Sequence, residues 1–209
     1  MQGGGVIVYV ESNFVLELAL LQEQHAACEA LLELCASGRI RLLLPSFAMI
    51  EPFGALFRRS AGHRAVKLPV DAALRELGRT ASLAAPVSQA TVMLHQLLVT
   101  NGKDELQRWK DARSRIASVA ELIPFDERVL PVAVAVEDQF RLSPPDALIY
   151  ASVRSHLSQT RPSRSCFLNR NAEDFNTPLL VGELQALGCK FLPAFDQGLS
   201  FVLGMLGRN

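Results

Sequence analysis

The run VIVYV at Val6–Val10 is short, apolar and β-branched, with glycines before it and Glu11, Ser12 and Asn13 after it. That pattern predicts a strand buried on both faces, as in a parallel sheet. From Asn13 to about Ser37 the apolar positions Leu16, Leu20, Ala27, Leu31 and Leu34 recur at helical spacing, and Ser37-Gly38 closes the segment as a helix C-terminus does. Arg41–Leu44 reads as a second strand ended by Pro45, and Ser46 as the N-cap of a helix through about Arg59. Strand, helix, strand, helix in this order predicts an α/β fold with a parallel sheet.

The middle of the chain breaks that alternation. From about 61 to 121, Leu74, Leu77, Leu83, Leu94, Leu97, Leu98, Leu106, Trp109, Ile116 and Val119 fall in helical patterns with no β-branched run between them. Two or three helices are expected here, as an insertion that supplies no metal ligand. After Pro124 the alternation resumes: a helix over about Glu127–Gln139, another from Ser143, a strand at Cys166–Leu168 and a short helix after Thr177. A strand at Lys190–Leu192 and a helix over Asp196–Leu206 complete the chain. No repeat period or low-complexity tract interrupts it.

At 209 residues and 49% hydrophobic, the chain can bury a substantial core. Twenty-one basic residues balance 21 acidic ones, so any cationic surface must be local. Cys28, Cys35, Cys166 and Cys189 have neither CxxC nor metal-finger spacing and read as reduced thiols. The opening MQGGG lacks a basic and then apolar leader, and no window reaches the ~18 apolar residues of a membrane span. The expectation is a soluble, cytoplasmic protein with no membrane partner.

Candidate chemistry lies where strands end, because parallel sheets bind ligands beyond their carboxyl ends. YVESN puts Glu11 after the first strand, and PSFAMIEPF puts Glu51 on the helix after the second. LSPPDALIYASV puts Asp146 in the first turn of a helix, and FLNRNAEDF puts Asn169, Asn171 and Asp174 after a late strand. Each has a plain structural alternative: Ser143 and Asp146 have capping-box spacing, Ser12 or Asn13 could cap a helix, and Asp174 could be a turn residue. Several acids meeting at one edge would repel one another and raise each other's pKa, a penalty that a divalent cation removes. Oxygen ligands of this kind suit Mg²⁺ or Mn²⁺ rather than zinc.

These four stretches, in this order, resemble the PIN-domain family of metal-dependent ribonucleases. VYVESNFVLELA is similar to its opening strand, acid, Ser/Thr-Asn and apolar helix, and PSFAMIEPFGAL to its small-residue cap followed by a glutamate. LSPPDALIYASV is similar to its aspartate-alanine helix start, and CFLNRNAEDF to its late strand with a polar run before Asp-Phe. The resemblance covers residues 6 to 59 and about 123 to 195. It implies a single PIN-like domain over 1–209, a three-layer α/β/α fold with a central parallel sheet and a helical insertion at about 61–121. It also implies Glu11, Glu51, Asp146 and Asp174 as catalytic metal ligands, Asn171 as a neutral ligand, and Ser12 and Asn13 as residues that hold Glu11. Mg²⁺ or Mn²⁺ would be the cofactor and RNA the substrate. Implied protein partners are an antitoxin, were the chain a toxin, or a second copy in a homodimer.

Phosphate needs cations, and FRRSAGHRAVK gathers Arg58, Arg59, Arg64 and Lys67, RPSRS adds Arg161 and Arg164, and Arg170 lies within the site motif. Arg58, Arg59 and Arg170 are the expected RNA-backbone contacts. Glu11 stands where the family usually has aspartate, which supports a second reading, a catalytically degenerate PIN-like module binding RNA or a protein. A phosphatase reading needs a D-x-D motif after the first strand, and VESNF has no second acid.

Overall fold

A computed structural model describes residues 5–207, and at positions 99–101 the backbone alone. Its centre is a parallel sheet of five strands: β1 (Val6–Val10), β2 (Ile40–Pro45), β3 (Glu121–Ile123), β4 (Ser165–Leu168) and β5 (Cys189–Leu192), in the order β3-β2-β1-β4-β5. Every residue of β1 and β4 is buried, which is why both read as unbroken apolar runs rather than alternating ones. The partly exposed strands β3 and β5 form the edges.

Neighbouring residues of one strand show how helices cover both faces. Tyr9 and Phe167 are partners in register. The Tyr9 hydroxyl lies 2.7 Å from His156 Nδ1 on α7 (Pro144–Thr160), and Phe167 packs edge-on against Phe175 of α8 (Ala172–Phe175). One residue on, Leu168 faces the other way and meets Gly198 of α10 (Phe195–Leu206). With α7 go α6 (Val129–Phe140) and α9 (Pro178–Ala186), the latter joined by the Tyr150 hydroxyl donating to Glu183 at 2.5 Å. With α10 go α1 (Ser12–Leu20) and α2 (His25–Ala36), with Phe14 against Phe195. The result is the expected α/β fold, a parallel sheet flanked by helices.

Several boundaries differ from the sequence reading. The helix expected over Asn13–Ser37 is two helices, because Leu21 turns left-handed (φ 51°) and the Glu17 carboxylate accepts from the Gln24 backbone N–H at 2.8 Å as the second begins. The apolar period simply runs across the joint. Gly38 does end α2 in the left-handed region, with the Arg39 N–H reaching back to the Leu34 carbonyl. Ser46 opens a 3₁₀ turn, Ser46–Met49, and its hydroxyl accepts from the Phe125 backbone rather than capping a helix. The α-helix starts instead at Pro52, where a missing N–H costs nothing, and as α3 (Pro52–Leu77) it passes through Pro69, well beyond Arg59. The insertion continues with α4 (Ala84–His95), a π turn at Gln96–Thr100 and α5 (Asn101–Val119). Strand β3 at its end was not anticipated; three residues are too few to show a period, and its first, Glu121, pairs with Arg41 of β2 at 2.6 Å. The four-residue helix α8 is likewise too short to show a period in the sequence.

The core takes little from the first half of the insertion. Of α3 only Pro52 and Leu56 are buried, and of α4 no residue is, while α5 sends Trp109, Ala112 and Ile116 inward. All four cysteines are free, three of them buried. Among the described residues no helix is long and apolar enough to cross a membrane.

Close packing of α10 on β4 gives a direct test. A Cβ built on Gly198 would lie 2.5 Å from a terminal carbon of the fully buried Leu168, whereas one on Gly204 of the same helix would meet nothing within 4 Å. Alanine normally stabilises a helix interior over glycine by ~0.5–1 kcal/mol. Gly204→Ala should follow that rule, and Gly198→Ala should instead lose about 1–3 kcal/mol through overpacking. Adding Leu168→Val should recover part of the loss. Urea unfolding of the three variants checks this, and a stabilised Gly198→Ala would refute the packing described.

Candidate active site

The chain leaves β1 toward one face of the sheet and β4 toward the other, since α1 packs with α2 and α10 while α8 meets α7. Adjacent parallel strands that part in this way open a crevice at their carboxyl ends. The register Val10↔Leu168 makes Glu11 and Asn169 the first residues beyond the paired segment. Both are buried, at 4% and 1% exposure, as is Ser12.

Glu11 is the N-cap of α1. Its Oε2 accepts from the Asn13 backbone N–H at 2.7 Å, where the helix dipole also favours an acid, and its Oε1 accepts from the Arg170 backbone N–H at 3.4 Å. Burial pushes its carboxyl up to about 8 against the pull of those hydrogen bonds, and the nearby charge of Asp146 pushes the same way. Glu11 and Asp146 therefore lie within electrostatic reach.

Asp146 arrives there because α7 precedes β4 and so begins at the carboxyl edge of the sheet. It is half-buried in the first turn, behind Pro144 and Pro145. The Ser143 hydroxyl donates to its Oδ2 at 2.5 Å, and its own N–H lies 3.4 Å from that hydroxyl. The capping role expected of Ser143 is thus real, and it leaves the second carboxylate oxygen outside the cap.

The other nominated residues fall into two sets. Past β4, Asn169 Oδ1 accepts from the Asn171 N–H at 2.8 Å, and Asn171 Nδ2 donates to Asp174 Oδ2 at 2.7 Å, so three residues of NRNAED form one hydrogen-bonded loop. Glu51 stands apart, half-buried at the N-cap position of α3 without a capping bond; the 3₁₀ turn before it touches both α1 and α7. Among the described residues no hydrogen bond joins Glu51 to the other acids, and no three Asp, Glu, His or Cys side chains form a group able to hold a metal ion by themselves. Two buried polar atoms at the crevice, Ser12 Oγ and Asn169 Nδ2, have no partner among the described residues.

Of the expected phosphate contacts, Arg58 is exposed, Arg59 donates to the buried Glu105 at 3.2 Å, and Arg170 is turned inward. The Arg170 guanidinium pairs with Glu17, which is fully buried in α1, and with Glu23 at 3.2 Å. Glu17 had no place in the sequence reading. Its signal was there, an acid inside the apolar run FVLELAL. Asn169 is legible in the sequence as a strand-end residue, while its part in ordering the loop shows only in three dimensions.

No family model matches the chain, nor does any curated protein or solved structure.

The Glu11 carboxyl sets a pH dependence whose sign can be worked out. In the folded chain it holds its proton to about pH 8, against 4.5 for an ordinary glutamate such as the unfolded chain presents. The linked stability is therefore fully present below pH 4.5 and is lost as pH rises toward 8. In EDTA, the Tm of the wild type should fall more steeply across that window than the Tm of Glu11→Gln, whose amide oxygen can still accept from Asn13. Parallel curves would mean that Glu11 titrates alike in the folded and unfolded chain.

Proposed function

We propose that this protein is a Mg²⁺- or Mn²⁺-dependent ribonuclease of the PIN-like type, hydrolysing RNA phosphodiester bonds, with a toxin of a toxin–antitoxin pair as one biological setting. The observation that carries the reading is a buried carboxyl, Glu11, at the carboxyl edge where β1 and β4 part, the same edge at which α7 begins with Asp146 in its first turn. Glu11 is buried and Asp146 half-buried, and with the Arg170 guanidinium committed to Glu17 neither acid forms an ion pair among the described residues, so a metal cation could take the place of the Glu11 proton. Mg²⁺ is commonly held by one or two carboxylates, the rest of its shell being water and substrate phosphate, so the donor set fits without a three-acid cage.

Glu11 and Asp146 would hold the ion directly, and Asp174, Asn171 and Glu51 through water. When bound, the ion activates water and offsets charge on the phosphate. The chain's own groups do the rest. Ser12 Oγ and Asn169 Nδ2, buried and without a partner among the described residues, are free to donate to a water or phosphate oxygen. Asn169 orders the loop that carries Asn171 and Asp174, and Asn13 and Arg170 hold Glu11 through their backbones.

Asp146→Asn separates a ligand from a cap, because Asn caps about as well as Asp. Wild type should cleave a mixed RNA pool in Mn²⁺, and Asp146→Asn and Glu11→Gln should lose about 100-fold in activity or metal affinity while staying folded. Mn²⁺ should raise the Tm of the wild type and not of the variants. A wild type that cleaves no RNA with either metal but binds RNA or a protein would be the degenerate module instead.

A further inference from the structure

Beside the acid crevice lies a second feature of opposite charge. A cleft of about 540 Å³ is bounded by Ser46 and Ile50 of the 3₁₀ turn region, Leu122 of β3, and Lys110, Arg113 and Ser114 of α5. The α5 residues share one face of the helix by their spacing. Among the described residues no carboxylate lines the cleft. Most neighbouring arginines are spoken for: Arg41 by Glu121, Arg59 by Glu105, Arg115 by Glu29, Arg128 by Asp126 and Arg170 by Glu17. Lys110 and Arg113 form no ion pair among the described residues. The Arg113 guanidinium is positioned by stacking, 4.5 Å over the Trp109 ring, which itself packs on Phe53, and its Nε is buried with no partner among the described residues. Its charge is fixed in place without being neutralised.

The same cleft carries exposed apolar surface. Ile50 is 61% exposed and Leu122 42%; Phe125, 47% exposed, lies beyond the lining but is tied to it, its backbone N–H donating to Ser46 Oγ. Cations beside exposed apolar and aromatic groups match a single strand, whose phosphates need charge and whose unstacked bases need flat apolar contact. A duplex hides its bases, and an acidic peptide has no use for the apolar rim. The location fits as well. Tyr9↔Leu43 in register brings Pro45 level with Glu11, so Ser46 opens the cleft one strand, ~4.8 Å, to the side of the acid crevice.

We propose that this cleft is a binding track for single-stranded RNA, with Lys110 and Arg113 on phosphates and Ile50, Leu122 and Phe125 against bases, leading the strand to the edge at Glu11. That the strand is RNA, and that it runs toward Glu11, rests on the ribonuclease reading; the binding of a single strand does not.

The test is fluorescence anisotropy with a labelled short single-stranded RNA in EDTA, so that affinity is measured without cleavage. Lys110→Gln and Arg113→Gln should each weaken binding, and the double variant should weaken it about ten-fold or more and flatten the salt dependence by ~1.4 in slope. Arg39→Gln makes the same charge change at the amino end of β2, the opposite edge of the sheet, and should leave affinity unchanged. Lys110 is exposed, so its variant reports on the cleft even if Arg113→Gln disturbs Trp109; thermal melts verify folding. Unaltered affinity in the double variant, equal or tighter binding of an RNA duplex, or equal binding of poly-glutamate competed by the same substitutions would each overturn the proposal. The two readings fail separately. Glu11-dependent cleavage with RNA affinity indifferent to the cleft removes the track alone, and cleft-dependent RNA binding without cleavage removes the nuclease alone.

Discussion

Arg170 serves two buried carboxyl groups at once: its backbone N–H donates to Glu11, and its guanidinium pairs with Glu17. An ion taken from water costs several kcal/mol unless the protein replaces its solvation. For Glu17 the replacement is nearly complete, with Arg170 on one oxygen and the Gln24 N–H on the other. For Glu11 it is partial, the Asn13 and Arg170 backbones and the Asn13 side chain but no cation, which is why burial holds that carboxyl's proton so high. The difference between these two acids, six residues apart in the chain, divides structure from chemistry at this edge. The fully paired one ties α1 to the loop after β4, and the half-paired one is left with unspent affinity for a cation.

The same arrangement explains why one loop residue could not be replaced by a simpler one. Removing the guanidinium would leave Glu17 sealed without its cation, so the orientation of the NRNAED loop, and with it Asn171 and Asp174, depends on an interaction outside the crevice. The start of the loop is then fixed twice, by Arg170 on α1 and by Asn169 on the Asn171 backbone.

Fold class was legible because buried strands and amphipathic helices write different periods into a chain, and β1, β4 and α7 are long or pure enough to show theirs. The end of α1, the 3₁₀ turn at Ser46 and the three-residue β3 were not, since a left-handed joint keeps the apolar period and a very short element has none. At the edge of the sheet, Glu11 and Asp146 could be nominated because strand ends and helix starts are visible in sequence. Arg170 could be named but not placed: a cation in a site motif looks the same whether it faces phosphate or a buried acid such as Glu17. Lys110 and Arg113 were invisible for a related reason, because helix α5 carries many charges and only three-dimensional pairing tells which are neutralised.

The exposed helices α3 and α4 have a consequence for how the molecule assembles. They connect β2 to β3 while giving the core only Pro52 and Leu56. Closing a longer connection costs little, only ~0.6 kcal/mol for each doubling of its length, so thermodynamics tolerates the excursion. Kinetics feels it more, because β3 must wait for a distant part of the chain to return. β1, β2 and the helices between them can form a local unit first, and β3 is then added at an edge with Arg41 waiting to receive Glu121. The hairpin of α3 and α4 is thus a stretch of chain whose length and sequence can drift while the sheet edge that carries Glu11 stays as it is.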